Sequence, residues 1–341
     1  MAAVPAAQAA TKSVLVGGPT PKGAPQQTDV NAFLPHTITI HQGDSVLWRI
    51  RGFHTVSLLP KGQRRPDFAL PDAAHPVSGV NDANNMPFWF NGQPNIIVNP
   101  TVAFGTRGTK VTGRSFLNSG LAANKPLNYR LTFPKTGTFN FVCLVHRGMA
   151  SKVRVVKRSR RIPTAAQDAA VVRHERAAVA AEATRAAALP TTPGVVSLAR
   201  SGGTSTRFSV QDYFPDTTTV KVGDSVTFTM AGDDQQEIHT VTTGPEATID
   251  GLEKDIVVAR PNAAGPPTLV LSPLVFYPSD PVLPPYDGSN HGDGFLNSAP
   301  LDNVALSPPP NAVKITFTKA GTYMFHCLIH PGMHGMIVVT Q

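Results

Sequence analysis

Two stretches of this sequence carry residue types that could hold a metal ion, and they match each other. Phe325-His326-Cys327-Leu328-Ile329-His330-Pro331-Gly332-Met333 lies near the end, and Phe141-Val142-Cys143-Leu144-Val145-His146-Arg147-Gly148-Met149 lies mid-chain. In each, a histidine stands three residues after the cysteine and a methionine six after it. A thiolate, an imidazole and a thioether on one short loop suit a copper that cycles between Cu(I) and Cu(II). A mononuclear site of this kind needs one more imidazole, which the rest of the chain must position.

Stepping along the chain shows how it is supplied. Asn31–Val46 realigns with Gln211–Val226 at an offset of 180 residues. In each copy an alternating β-branched run meets a Gly-Asp turn and then a second alternating run, Val46–Ile50 or Val226–Met230. This is the pattern of a strand, a tight connection and a strand. Each copy then reaches one histidine before a Thr-Val pair, His54 or His239. Long stretches rich in Pro, Asn and Gly follow, 57–125 and 242–310, and are expected to be irregular and functional. They share one landmark, Phe116-Leu117-Asn118-Ser119-Gly120 against Phe295-Leu296-Asn297-Ser298-Ala299. Each copy closes with paired strands, 128–133 with 137–143 and 312–317 with 321–327, and a last strand follows each cysteine loop.

Between the copies runs an alanine-rich segment, 164–189. Thr164 and Gln167 form a capping box, and Pro190 and Pro193 end the pattern, which predicts one helix. The organisation expected is therefore all-β: two sandwich domains, 1–157 and 193–341, joined by a helical linker over 158–192.

These motifs resemble the cupredoxin (blue copper) family, and the Cys-x2-His-x2-Met loop is most similar to that of its amicyanin- and plastocyanin-like members. The resemblance implies a Greek-key β-sandwich and one-electron transfer. Carried onto this chain, it implies His54, Cys143 and His146 with axial Met149 as one copper site. His239, Cys327 and His330 with axial Met333 would be the other. His54 precedes Cys143 by 89 residues and His239 precedes Cys327 by 88, a separation that Greek-key connections can close. Thr55 and Thr240, just after the first ligands, are expected to tether the two ligand loops.

Other histidines suggest competing readings. Strand alternation puts Phe325 and Cys327 on one face and Met324 and His326 on the other, so His326 points away from the second site. In copper nitrite reductases and multicopper oxidases, whose domains this chain resembles, a histidine beside the cysteine leads to a catalytic copper. That makes an enzyme with an intersubunit copper the first alternative. No His-x-His occurs, and the first copy has Val142 at the matching position, so the ligands of a three-copper cluster are missing. His334 and Met336 could rim the second site or help load it. A structural or assembly protein built on the same sandwiches is the second alternative.

Composition narrows the rest. Only two cysteines occur, both in the metal motifs, so no disulfide is expected. Thiolate-copper chemistry favours an extracytoplasmic location. The opening Met1–Ala10 lacks a basic segment followed by an apolar core, so it does not read as an intact signal peptide. No run of 18 apolar residues is present, so no transmembrane span is expected. Residues 1–155 carry 16 Lys and Arg against 5 Asp, a net of +11, whereas 191–341 carry 7 against 14 acidic residues, a net of −7. Basic residues are scattered, with no accompanying aromatic binding motif, which argues against nucleic acid. Redox partner proteins are the partners expected, and a homo-oligomer is compatible with the sequence.

Overall fold

The computed structural model describes residues 9–106, 108–122, 125–201, 207–230, 237–302 and 310–341. Most of the opening stretch, residues 1–8, lies outside them. The chain forms two compact units. The first takes in 1–23, 29–67 and 101–181, and the second 24–28, 68–100 and 182–341.

Each unit holds a Greek-key β-sandwich, and the two are built in the same order. In the first, one sheet runs Leu127–Thr132, Ser45–Arg51, Thr11–Gly17, Phe33–Leu34. The facing sheet runs Thr37–His41, Ala150–Val156, Gly137–Val142, Ser57–Leu58, Leu117–Asn118. The second unit repeats this with Ala312–Thr316, Ser225–Thr229, Val195–Ser201, Phe208–Phe214 against Thr217–Lys221, His334–Thr340, Gly321–His326, Thr242–Thr243, Leu296–Asn297.

The alternation read from the sequence decides which side chains enter the cores. Val46, Trp48 and Ile50 are fully buried while Arg49 between them is exposed. Trp48 packs on Phe141 at 4.6 Å between ring centroids, and in the second unit Phe228 packs on Phe325 at 5.0 Å. Each such ring contributes about 1.5–3 kcal/mol by leaving water. The Gly-Asp turn recurs because it solves the same problem twice. Gly43 and Gly223 adopt φ of 90° and 92°, which only glycine takes without strain. Asp44 and Asp224 then accept hydrogen bonds from the backbone of His41 and Lys221, closing each turn.

The linker helix spans Ala165–Ala187. Its capping box forms: Thr164 N donates to Gln167 Oε1 at 2.8 Å, and Gln167 N donates to Thr164 Oγ1 at 3.2 Å. Val179 and Ala183 are its fully buried positions.

The two long stretches expected to be irregular contain a further sheet. Its order is Val257–Arg260, Thr268–Leu271, Pro94–Val98, Ala69–Pro76. Half of it comes from 68–100, which lies inside the first repeat in sequence but belongs to the second unit. Val77, Phe88 and Phe90 of that segment share a core with Ile249, Leu252, Val275, Phe295 and Leu328. Among the described residues no helix is long and apolar enough to cross a membrane.

Two candidate metal centres

In each sandwich the first histidine follows one strand and the cysteine ends another. His54 comes after Ser45–Arg51, and Cys143 comes directly after Gly137–Val142. Gly17 makes room for the histidine: at φ of 67°, a Cβ there would lie 2.5 Å from the His54 ring. The cysteine loop is closed by its own backbone. Cys143 N donates to Met149 O at 3.0 Å, and Cys327 N donates to Met333 O at the same distance. This hairpin sets the three-residue and six-residue spacings seen in the sequence.

In each unit two imidazoles and the thiol converge. His54 Nδ1 and His146 Nδ1 are 2.9 Å apart, with Cys143 Sγ at 3.9 and 3.6 Å from them. In the second unit His239 Nδ1 and His330 Nδ1 are 3.0 Å apart, and Cys327 Sγ is 3.6 Å from each. Among the described residues these are the two groups whose donor atoms cluster closely enough to hold a metal ion. Met149 and Met333 are buried in the same cores as their cysteines.

The donor set fits copper. An ion bonded at about 2.0 Å to two nitrogens and about 2.3 Å to sulfur, in a trigonal arrangement, separates donors by about 3.5–3.7 Å. The sulfur–nitrogen separations of 3.6–3.9 Å lie close to this, whereas the imidazole nitrogens, 2.9–3.0 Å apart, would part by about half an ångström around an ion. Two imidazoles and one thiolate match the ligand preference of a soft or borderline ion such as copper rather than of a hard cation.

The thiols are prepared to ligate. Burial alone would raise them, but hydrogen bonds and charge from His146 and His54 outweigh it and hold Cys143 well below the ordinary thiol range. His239 and His330 do the same for Cys327. Each sulfur also accepts a backbone hydrogen bond at 3.4 Å, from Thr55 N or Thr240 N. The threonine hydroxyls tether the loops as expected. Thr55 Oγ1 accepts from Leu144 N at 2.7 Å, and Thr240 Oγ1 accepts from Leu328 N at 2.8 Å.

Behind the threonines stands a polar bracket that sequence reasoning did not assign. Ser57 Oγ lies 3.2 Å from Thr55 Oγ1 and donates to Asn118 Oδ1 at 2.9 Å. Asn118 Nδ2 in turn donates to the carbonyls of Thr101, Val102 and Phe104. The second unit repeats this through Thr242 and Asn297, whose amide reaches the carbonyls of Leu274, Val275 and Tyr277. Ser119 and Ser298 accept hydrogen bonds from Val56 N and Val241 N. The recurring Phe-Leu-Asn-Ser was the signal: its asparagine holds a short helix end against the strand that follows the first ligand.

The centres differ in charge. Glu237, buried, lies 3.3 Å from His330 Nε2. Burial opposes protonation of that ring, but Cys327 and Glu237 outweigh it and push it up to about 10. The matching position in the first copy is Gly52. Beside the first centre, Arg65 Nε donates to Leu144 O, and burial lowers this guanidinium while the charge of Cys143 raises it. His326 faces away from Cys327, half-buried beside Glu246.

No family profile and no curated protein matches the sequence. Solved structures that it resembles include a Cu(I) form of an amicyanin mutant, at 21% identity and a TM-score of 0.23, covering 46% of this chain and 89% of that one. A reduced amicyanin mutant matches at 22% identity and a TM-score of 0.23, again over 46% of this chain and 89% of that one. A mutant plastocyanin of fern matches at 17% identity and a TM-score of 0.22, over 43% of this chain and 99% of that one. Each unit is a Greek-key sandwich of cupredoxin-like strand order, and each brings together a donor set suited to copper.

Proposed function

We propose that this protein is an extracytoplasmic electron carrier with two type 1 copper centres, exchanging electrons with redox partner proteins. The observation that carries the reading is the repetition, in both units, of one cage: two imidazoles, a depressed thiol, and a backbone N–H aimed at the sulfur. Copper bound there would supply a one-electron Cu(I)/Cu(II) couple. The chain's own part is to keep the donors in place in both oxidation states. Thr55 and Thr240 lock the histidine segment to the cysteine loop, and the asparagine brackets fix the strand behind it. The Thr N–H to sulfur bond draws charge from the thiolate and favours the reduced state. The chemistry of a thiolate-bound copper supports the extracytoplasmic location.

The test is a visible and paramagnetic-resonance spectrum of the copper-loaded protein with metal quantified. Cys143→Ser should remove one thiolate-to-copper absorption and leave the other, and Cys327→Ser should do the reverse. A single variant that keeps the full wild-type colour would overturn the assignment of that centre. Electron exchange that survives removal of copper would overturn the carrier reading and favour an assembly role.

A further inference from the structure

Within the second unit, residues 80–91 form a tight loop that holds two large apolar side chains at the surface. Met86 is 62% exposed and Trp89 is 38% exposed. The loop is braced from within. Asp82 Oδ1 accepts from Asn84 N and Met86 N, Asp82 N donates to Met86 O, and Asn85 takes a left-handed φ of 62°. Asn91 Nδ2 donates to the carbonyls of Val80 and Phe88, and Val80 N donates to Asn91 Oδ1. Trp89 is pinned to a second loop, its Nε1 donating to Pro278 O at 2.8 Å. On that loop Val282 is 84% exposed, and Asp280 shares the imidazole of His291 with Asp82. Tryptophan and methionine are favoured at protein interfaces, and side chains already fixed in place lose little entropy on binding.

A series of rings runs inward from this patch. Trp89 lies 5.9 Å from Tyr277 and 6.1 Å from Phe90 between centroids. Phe90 stacks on Tyr277 at 5.5 Å and on Phe88 at 5.1 Å, and Phe88 meets Phe295 at 6.1 Å. Phe88, Phe90 and Phe295 share their cluster with Leu328, which is bonded to Cys327. The series therefore connects the surface to the ligand loop of the second centre through packed side chains. Electron tunnelling falls off exponentially with distance, and contiguous packed atoms carry it further than gaps do. Charge then says which partner fits. Stretches 68–100 and 273–302, which build the patch, contain six Asp and no Glu, Lys or Arg. Such a surface attracts a basic face and repels an acidic one.

We propose that Met86 and Trp89 form a docking port for a basic redox protein, and that the rings from Trp89 to Leu328 couple that partner to the second centre. The proposal rests on the carrier reading of that centre. The transfer moves one electron and makes or breaks no bond. The partner's cofactor loses the electron, the ion held by Cys327 passes from Cu(II) to Cu(I), and no ring is itself oxidised. Asp82 and Asp280 supply the attraction, Met86 and Trp89 the apolar anchor, and the braced loop the fixed geometry. Because the series ends at Leu328, the port serves the second centre and not the first.

The probe is reduced cytochrome c, a basic one-electron haem protein, mixed with the copper-loaded full chain. The Cys143→Ser background reports the second centre and Cys327→Ser the first, each by bleaching of its blue band. Met86→Lys puts a like charge on the port at an exposed position and should slow reduction of the second centre by about tenfold or more. Trp89→Ala should slow it similarly, whereas Trp89→Phe, which keeps a ring, should stay near the wild-type rate. Reduction of the first centre should be the same throughout. Binding is read separately in the copper-free protein, where bound haem quenches Trp89 while the other tryptophan, Trp48, is fully buried. The quenching should saturate, and Met86→Lys should weaken it by about tenfold. Equal rates in wild type and Met86→Lys, or quenching that never saturates, would overturn the proposal. So would a wild-type rate in Trp89→Ala, which would leave the rings a packing role alone. Ascorbate needs no docking surface, so its reduction of both blue bands tests the carrier reading by itself and keeps the two failures distinguishable.

Discussion

Gly52 and Glu237 occupy the same place in the two copies, two residues before the ligand histidine. The carboxylate at Glu237 lies 3.3 Å from His330 Nε2, so the ring it touches is more basic and supports the higher oxidation state of a bound ion. Charge-assisted hydrogen bonds contribute about 1.5–3 kcal/mol, and part of that should appear in the redox equilibrium. Glu237→Gln should therefore raise the potential of the second centre, by about 1 kcal/mol in equivalent free energy, and leave the first unchanged. Potentiometry on the Cys143→Ser background reads this directly, and an unmoved potential would show that Glu237 only fills space. Gly17 gives a matching test at the first centre. Gly17→Ala would drive a methyl into the backbone oxygen of Arg51 and to 2.5 Å from the His54 ring, at a backbone angle that alanine resists. The first blue band should shift or vanish while the second keeps its wild-type position. Two unchanged bands would mean that the Arg51 backbone and the ring can both give way without disturbing the site.

At the scale of elements, the segment 68–100 reinforces the second cysteine loop. Phe90 is fully buried, stacked on Phe88 at 5.1 Å and on Tyr277 at 5.5 Å, in the cluster that also holds Leu328, the residue after Cys327. Phe90→Ala should cost about 3–5 kcal/mol and loosen that loop. Thermal unfolding should begin lower, and copper should leave the second centre faster than the first under a chelator. Equal loss from both centres would separate the cluster from the loop. None of this was legible in the sequence. Ala69-Leu70-Pro71-Asp72-Ala73-Ala74-His75-Pro76 has no alternation and two prolines, yet it forms a strand because Pro94–Val98 pairs with it, and that pairing is non-local. By contrast the sandwich strands, the capping box and the two His-Cys-His groups were legible, because a strand period, a helix cap and a tight cysteine loop each impose a fixed local spacing. The asparagine bracket lay between these cases. Asn118 and Asn297 recur in a matching frame, but their partners, three carbonyls on a short helix, come from elsewhere in the chain.

For the whole molecule, the charge asymmetry of the sequence reaches the centres themselves. Arg65 and Arg147 act on each other and Arg65 on Cys143, so the first centre sits in a positive field. Glu253 acts on Cys327, and Glu237 acts on His330, so the second sits in a negative one. A unit charge about 8 Å from a redox ion shifts the equilibrium by about 2 kcal/mol at an effective dielectric near 20, less where solvent screens it. Positive charge favours the reduced, less positive ion, and negative charge the oxidised one. The first centre should thus have the higher potential, and electrons distributed between the two at equilibrium should favour it. Cys327→Ser leaves only the first centre and Cys143→Ser only the second, so each potential can be measured alone in the full chain. The gap should narrow as ionic strength rises, because the exposed part of each field is screened over about 8–10 Å at 0.1–0.15 M salt. Reversing the local sign at Arg65 should lower the first potential with the second unmoved: Arg65→Glu tests the sign, and Arg65→Gln tests the loss of charge alone. Equal potentials in the two cysteine variants, or a higher value for the second centre, would show that hydrogen bonding to the sulfurs and not the surrounding charge sets the difference.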